Sequence, residues 1–330
     1  MKSAAATASL LVVATMWASV LPAAEPAGKV AAGAEATFIT LGTQGGPLAS
    51  AGRSQPANAL VVGDDLYLVD AGDGTVGQLA KVSLNLLPLR AVFLSHLHID
   101  HVGGLAAVLG LRNQIDAPGI VTVYGPPGTR SLVEGLLASL KPSADAGYGL
   151  PGEPWAAPAE RVRIVEIGDG TKVELKGLTV TVAQNTHYSF PAGGDMDRQY
   201  KSLSLRFDLP GRTLLYTGDT GPSPAVERLA KGTDLLVSEM IDVEQTLQNV
   251  TRTRPDLAAE QRQELVAHLS QHHLTPVQVG ELAAHAEARR LVITHLVPGR
   301  MGAAEQERYL RDIRRNYAGP VTFANDLDRF

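Results

Sequence analysis

Residues 91–112 read AVFLSHLHIDHVGGLAAVLGLR, and the centre of that run, Ser95-His96-Leu97-His98-Ile99-Asp100-His101, decides the fold. A short apolar run leads into it and a small, apolar helical pattern leads out. Between them stand three imidazoles and one carboxylate within six residues. A polar cluster wedged between a buried strand and a buried helix needs partners, because unpaired polar groups are costly to bury. Histidine near neutral pH binds metals through its neutral ring. His96 and His98 are two apart and can point the same way from an extended loop. Asp100 and His101, at the turn into the helix, can face a second ion.

Outward from that stretch, short apolar runs alternate with helical patterns. Strands are predicted at 37–41, 58–62, 66–69, 91–94, 121–124, 162–167, 172–175, 178–183, 202–207, 213–216, 235–238, 291–293 and 321–323. Helices are predicted at 73–82, 101–112, 128–140, 222–231, 257–270, 275–287 and 303–316, with Thr275 capping one and Pro276 in its first turn. Strands fall in two runs with helices between and after them, which predicts two sheets with helices outside rather than one parallel sheet. Residues 141–160 and 242–256 read as long irregular segments of the kind that carry sites.

The chain has 330 residues and no cysteine. That excludes disulfides, thiol nucleophiles, iron–sulfur clusters and any thiolate-ligated metal. Lys2 followed by the apolar run 4–20 (AAATASLLVVATMWASV) and Leu21-Pro22-Ala23-Ala24 has the form of a secretory signal. Residues 1–24 are therefore expected to be removed, leaving 25–330 as a single domain in the periplasm or outside the cell. The formal charge is −5, and −6 once Lys2 is gone. No Lys/Arg-rich insertion occurs, so the chain is expected to have no nucleic acid partner.

The motif H-x-H-x-D-H is similar to the signature of the metallo-β-lactamase superfamily. That resemblance implies an α+β fold, a four-layer αββα sandwich with a two-metal site at one edge of the sheets. The further ligands it calls for have counterparts in order: His187 in Asn185-Thr186-His187, Asp219 in Tyr216-Thr217-Gly218-Asp219, and His295 in Ile293-Thr294-His295. By resemblance His96, His98 and His187 hold one ion, Asp100, His101 and His295 the other, and Asp219 bridges them. Asp70, closing Leu66–Val69, would orient a ligand histidine or the motif's backbone. The thiolate-free set suits two zinc ions, with iron or manganese as alternatives. A hydroxide shared by the ions would attack an ester centre.

Three stretches resemble the branch containing tRNase Z, class II cyclic-nucleotide phosphodiesterases and zinc arylsulfatases. They are Leu41-Gly42-Thr43-Gln44-Gly45-Gly46-Pro47, whose amides can line the site, Ser238-Glu239-Met240, and His272-His273-Leu274-Thr275. By that resemblance His273 is the general acid and Glu239 orients it, with His272 and His268 as competitors. Asp100, His273 and Glu239 are thus the candidate catalytic residues. Tyr188, Ser189 and Phe190 can line the cleft, Gly193–Asp197 reads as a loop beside it, and Tyr148 with Trp155 as a lid. Gly72-Asp73-Gly74-Thr75-Val76-Gly77 matches G-x-G-x-x-G, but the acid expected about 20 residues on is missing, so it reads as a turn into a helix.

The expected activity is hydrolysis of a phosphodiester or sulfate ester, on a small-molecule substrate. Lactone or amide hydrolysis, including of β-lactams, and a non-catalytic metal-binding scaffold are the alternatives. No stable membrane insertion is expected after the leader is removed, and a homodimer is left open.

Overall fold

The computed structural model describes residues 36–147, 156–188 and 190–330. The leader at 1–24, Tyr148, Trp155 and Ser189 lie outside the described residues. Among the described residues no helix is long and apolar enough to cross a membrane.

Six strands form the first sheet in sequence order: β1 (Thr37–Gly42), β2 (Ala57–Val62), β3 (Asp65–Ala71), β4 (Leu89–Phe93), β5 (Val121–Gly125) and β6 (Val162–Glu166). The second sheet holds β7 (Lys172–Leu175), β8 (Leu178–Gln184), β9 (Leu203–Leu209), β10 (Arg212–Tyr216), β11 (Leu235–Ile241), β12 (Leu291–Val297) and β13 (Val321–Phe323), again adjacent in order. Strands β1–β3 and β7–β10 run antiparallel, while β3–β6 and β10–β13 are parallel, each parallel step crossing through helix or loop.

Both faces of each sheet are buried, and the two-residue period sorts the side chains. In β3, Tyr67 and Val69 join the core between the sheets with Phe93, Phe207 and Val237. Their neighbours Leu66 and Leu68 face the other way, against Leu105 and Leu109 of α3 (Leu105–Gln114) and Val133 of α4 (Thr129–Ala146). Leu215, Leu236 and Ile293 of the second sheet pack outward on α6 (Pro224–Ala230), α9 (Pro276–His285) and α10 (Ala303–Ile313). The result is the αββα sandwich, with three apolar layers between four layers of structure.

Several predicted elements differ. The helix expected over 101–112 is divided into α2 (Ile99–Val102) and α3 by Gly103-Gly104. A Cβ on Gly104 would lie 2.2 Å from the Gly72 carbonyl, and the Gly104 amide donates to Ala71 O at 2.8 Å. That close approach locks the motif onto the end of β3 and requires glycine. The loop expected from residue 141 begins later, because α4 runs through Pro142 to Ala146. The ring is exposed there, so the carbonyl it leaves unpaired can be hydrated. Residues 242–256 contain α7 (Val243–Thr253), capped by Asp242, whose carboxylate accepts from the Gln245 amide at 3.0 Å. The G-x-G-x-x-G run is a turn: Gly74 is left-handed, and Thr75 Oγ1 donates to Gly72 O at the start of α1 (Thr75–Lys81). The remaining α-helices are α5 (Asp195–Gln199), which begins inside the expected loop Gly193–Asp197, and α8 (Ala259–Gln271).

Candidate metal centre

Every predicted ligand stands at the carboxyl end of a strand or just beyond it. His96, His98, Asp100 and His101 follow β4, His187 follows β8, Asp219 follows β10 and His295 lies in β12. The structure brings all seven side chains together along one edge of the sandwich, in overlapping groups whose ligand atoms lie within 4.8 Å of one another.

Two β-bulges help to aim the cluster. Glu239 of β11 faces both Thr294 and His295 of β12, because the register slips between Ser238 and Met240. His295 takes a left-handed φ of 44° at this bulge. Asp70 is the extra residue of a second bulge, between the Ala57–Ala71 and Asn58–Val69 pairs, at φ 59°. Backbone strain of this kind persists where surrounding contacts over-determine it.

Three ring nitrogens converge on one side. His98 Nδ1 lies 3.1 Å from His96 Nε2 and 3.0 Å from His187 Nε2. Two nitrogens bound tetrahedrally at about 2.1 Å are separated by roughly 3.4 Å, so the spacing is close to that of a shared ion. On the other side His101 Nε2 and His295 Nε2 lie 3.6 and 3.7 Å from Asp100 Oδ2. Asp219 stands between, with Oδ1 3.3 Å from His101 Nε2 and Oδ2 3.1 Å from His295 Nε2 and 3.9 Å from His96 and His187.

The tautomers follow from the outer contacts. His101 Nδ1 donates to Asp70 Oδ2 at 2.8 Å, and His187 Nδ1 to the His272 carbonyl at 3.1 Å. His96 Nδ1 faces Ser95 Oγ at 3.1 Å. Each ring so held presents the lone pair of Nε2 to the centre. His101 Nε2, His295 Nε2 and Asp219 Oδ1 are buried without a hydrogen-bond partner. Lone pairs facing a carboxylate in a buried site call for a cation, so the donor set fits divalent metal. The same facing charges act on the ionisation of the cluster. Burial opposes charge on His295, but Asp219 and Asp100 outweigh it and push the imidazole up to about 10. Burial likewise raises Asp100, yet His295 and His101 hold its carboxyl down at about 2.

Asp70 is completely buried and accepts four hydrogen bonds: from Ser95 N at 2.7 Å, and from Ser95 Oγ, His101 Nδ1 and Tyr216 OH at 2.8 Å each. Burial and the Asp70 charge drive the Tyr216 phenol well above its ordinary range, so it remains a donor. Tyr216 was not among the sequence candidates; a lone hydroxyl in the apolar strand Leu214–Tyr216, three residues before Asp219, was its signal.

His273 follows α8 and lies beside the cluster. Its Nδ1 donates to Glu239 Oε2 at 2.7 Å, and Glu239 Oε1 accepts from the Thr220 amide at 2.6 Å. Burial lowers the His273 pKa, but the Glu239 carboxylate outweighs it and raises the net value. His272 is turned away, with Nδ1 on the Thr186 carbonyl. His268 lies in α8 with its ring 5.5 Å from that of His273, and burial with the neighbouring imidazoles lowers it to about 4.

The glycine-rich turn supplies close approach at Gly45. The Gly45 amide is consumed by Leu296 O at 3.0 Å, and a Cβ there would lie 2.6 Å from His295 Nδ1. Tyr188 borders the cluster, its ring 5.2 Å from that of His98, and Phe190 packs against it with the two rings tilted by 46°. A cavity of about 1040 Å³ opens over the centre, reaching from His98, Asp100 and His295 to α7 and α8.

The family described as the beta-lactamase superfamily domain matches residues 66–296. Ribonuclease Z of Mycobacterium avium (strain 104) is 30% identical over 296 residues, 88% of this chain and 96% of that protein. Among solved structures, the metallo-beta-lactamase fold protein YhfI from Bacillus subtilis superposes with a TM-score of 0.62 at 17% identity, over 90% of this chain and 99% of that one. Human tRNase Z, short form, gives 0.59 at 20% identity, over 89% and 98%. These findings overturn the expectation of no nucleic acid partner, since a relative spanning most of the chain is named a ribonuclease. The expectation rested on net charge and on the lack of a Lys/Arg-rich insertion, and neither describes the field at one cleft. Arg252, Arg254 and Arg300 line the cavity of this acidic protein.

Proposed function

Because the chain belongs to the metallo-β-lactamase superfamily, we propose that this metal-dependent hydrolase is a phosphodiesterase of the Ribonuclease Z type, acting on RNA or nucleotide phosphodiesters. The observation that carries the reading is the His273–Glu239 pair, 2.7 Å apart and beside the metal cluster. Two zinc ions suit the five imidazoles and two carboxylates, and iron or manganese would accept the same donors. Bound there, two divalent ions would polarise a phosphoryl oxygen and activate water as the nucleophile.

His96, His98 and His187 would hold one ion, Asp100, His101 and His295 the other, with Asp219 between. Asp70 keeps Nδ1 of His101 engaged, so Nε2 is free to bind. Glu239 keeps Nδ1 of His273 engaged, so Nε2 faces the cavity, where its proton can pass to the departing oxygen. Residues 1–24 are proposed to direct export, and a mature chain starting at residue 24 or 25 is the expected outcome.

The test gives the zinc-loaded protein bis-p-nitrophenyl phosphate, p-nitrophenyl sulfate and a short RNA, with His98→Ala as the blank. Metal-dependent cleavage of the phosphodiester and the RNA is expected. Turnover mainly of the sulfate would overturn the reading.

A further inference from the structure

Resting on the phosphodiester reading, we propose that the arm of the cavity between α7 and α8 is the leaving-group subsite, shaped to take a planar aromatic group carried by the departing alcohol. Its position follows from His273. That residue stands two positions beyond the end of α8, and Glu239 fixes its ring. A proton delivered from there reaches only the oxygen that departs on that side. Whatever hangs on that oxygen must therefore lie against α7 and α8.

The wall it meets carries aliphatic side chains from both helices. Val250 of α7 and Leu265 and Leu269 of α8 line the cavity beside the polar Gln245, Thr246 and Asn249 of α7. His268 adds an imidazole edge-on to His273, at 90° and 5.5 Å between centroids, with no side-chain hydrogen bond among the described residues. Aliphatic side chains and one unengaged ring suit the face of a flat aromatic group, and the polar α7 side chains suit its edge. Size agrees. A cavity of about 1040 Å³ is far larger than a phosphodiester head at the metal end requires, since pockets of roughly 300–1,000 Å³ hold whole drug-sized ligands.

The rim carries charge. Arg254 is committed to Asp256 through two hydrogen bonds of 2.9 Å. Arg300 makes no ion pair among the described residues and lines the same cavity. A simple aryl group needs no such cation, whereas a nucleotide chain carries a further phosphate to meet it.

The test measures binding, so it does not depend on turnover. Metal-loaded protein is titrated calorimetrically with methylphosphonate, phenylphosphonate and adenosine 5′-monophosphate. The two aromatic ligands are expected to bind at least about tenfold tighter than methylphosphonate, the scale of one buried aromatic face. Leu265→Glu and Val250→Asn should each shrink that gap below about threefold while methylphosphonate affinity, which reports an intact centre, stays unchanged. Equal affinities in the parent protein would overturn the subsite, as would a gap that survives both substitutions. Phenylphosphonate as the tighter ligand would identify simple aryl esters. Adenosine 5′-monophosphate as the tighter one, weakened by Arg300→Ala, would identify nucleotides. If the gap holds but no phosphodiester is cleaved, the phosphodiester reading falls and the aromatic subsite stands.

Discussion

Asp219 Oδ1 lies 3.3 Å from His101 Nε2, and neither atom has a hydrogen-bond partner. A carboxylate and an imidazole lone pair buried this close repel unless a cation lies between them. Burial resists ionisation of Asp219, but His295 and His101 outweigh it and hold its carboxyl well below the usual range. Asp219→Ala is therefore expected to retain at most one zinc per chain by elemental analysis, with activity down by ~100-fold or more, the cost of even an indirect metal contact. Two ions retained per chain would remove Asp219 from the bridging position.

His273 and Glu239 give a test of leaving-group chemistry. A nitrophenolate leaves without a proton, whereas an alkoxide from RNA needs one. His273→Ala is expected to slow RNA cleavage by ~10²–10⁴-fold and bis-p-nitrophenyl phosphate far less. Glu239→Gln should fall in the same direction, and the double variant should be little worse than His273→Ala alone, because the two side chains act through one hydrogen bond. Equal losses on both substrates would leave His273 without a role as proton donor.

Asp70 and Tyr216 separate metal orientation from simple packing. Asp70 accepts from four donors, so an asparagine amide would turn N–H groups toward at least one of them. Asp70→Asn is expected to weaken zinc binding ~10–100-fold in a competition assay with a chromogenic chelator. Tyr216→Phe removes only the 2.8 Å phenol bond. It should cost ~1–3 kcal/mol in denaturant unfolding and leave two ions bound. Unchanged zinc affinity in Asp70→Asn would show that the bulge geometry alone orients His101.

The αββα fold and the gathering of the seven side chains were legible because each follows or ends an apolar strand run. The mixed patterning of β3, with Leu66 and Leu68 on one face and Tyr67 and Val69 on the other, stayed hidden because both faces are buried and the run carries no polar alternation. Tyr216 and Asp70 meet across 146 residues, a pairing no local pattern encodes. Helix α7 reads VEQTLQNVTRT: Val243, Leu247 and Val250 recur at helical spacing, but the stripe is thin, none of its residues is buried, and the β-branched residues weaken the local helical preference. With it went the wall that lines the cavity and the arginines that undercut the argument from net charge.

Helix α7 is held in place by Asp242, and this yields a prediction with a pH dependence. The carboxylate caps the helix at Gln245 N and accepts from Tyr309 OH at 2.8 Å and from the Arg308 guanidinium of α10. Burial favours the neutral acid, but the Gln245 amide, Arg308 and Tyr309 outweigh it and hold the pKa below its ordinary value. A depressed carboxyl contributes stability above its unfolded pKa, near 3.9, and loses it as pH falls through the lower folded value. Arg308 is itself largely open to water, so screening trims the effect to ~1 kcal/mol at pH 7, about the worth of one cap. Asp242→Asn should accordingly unfold at lower urea than the parent at pH 7, and the difference should shrink as both are moved below pH 4. A gap that stays constant across that range would mean the contribution is packing and hydrogen bonding without charge. The same substitution loosens the tie between α7 and α10, so phenylphosphonate affinity should fall with it while zinc stoichiometry remains at two.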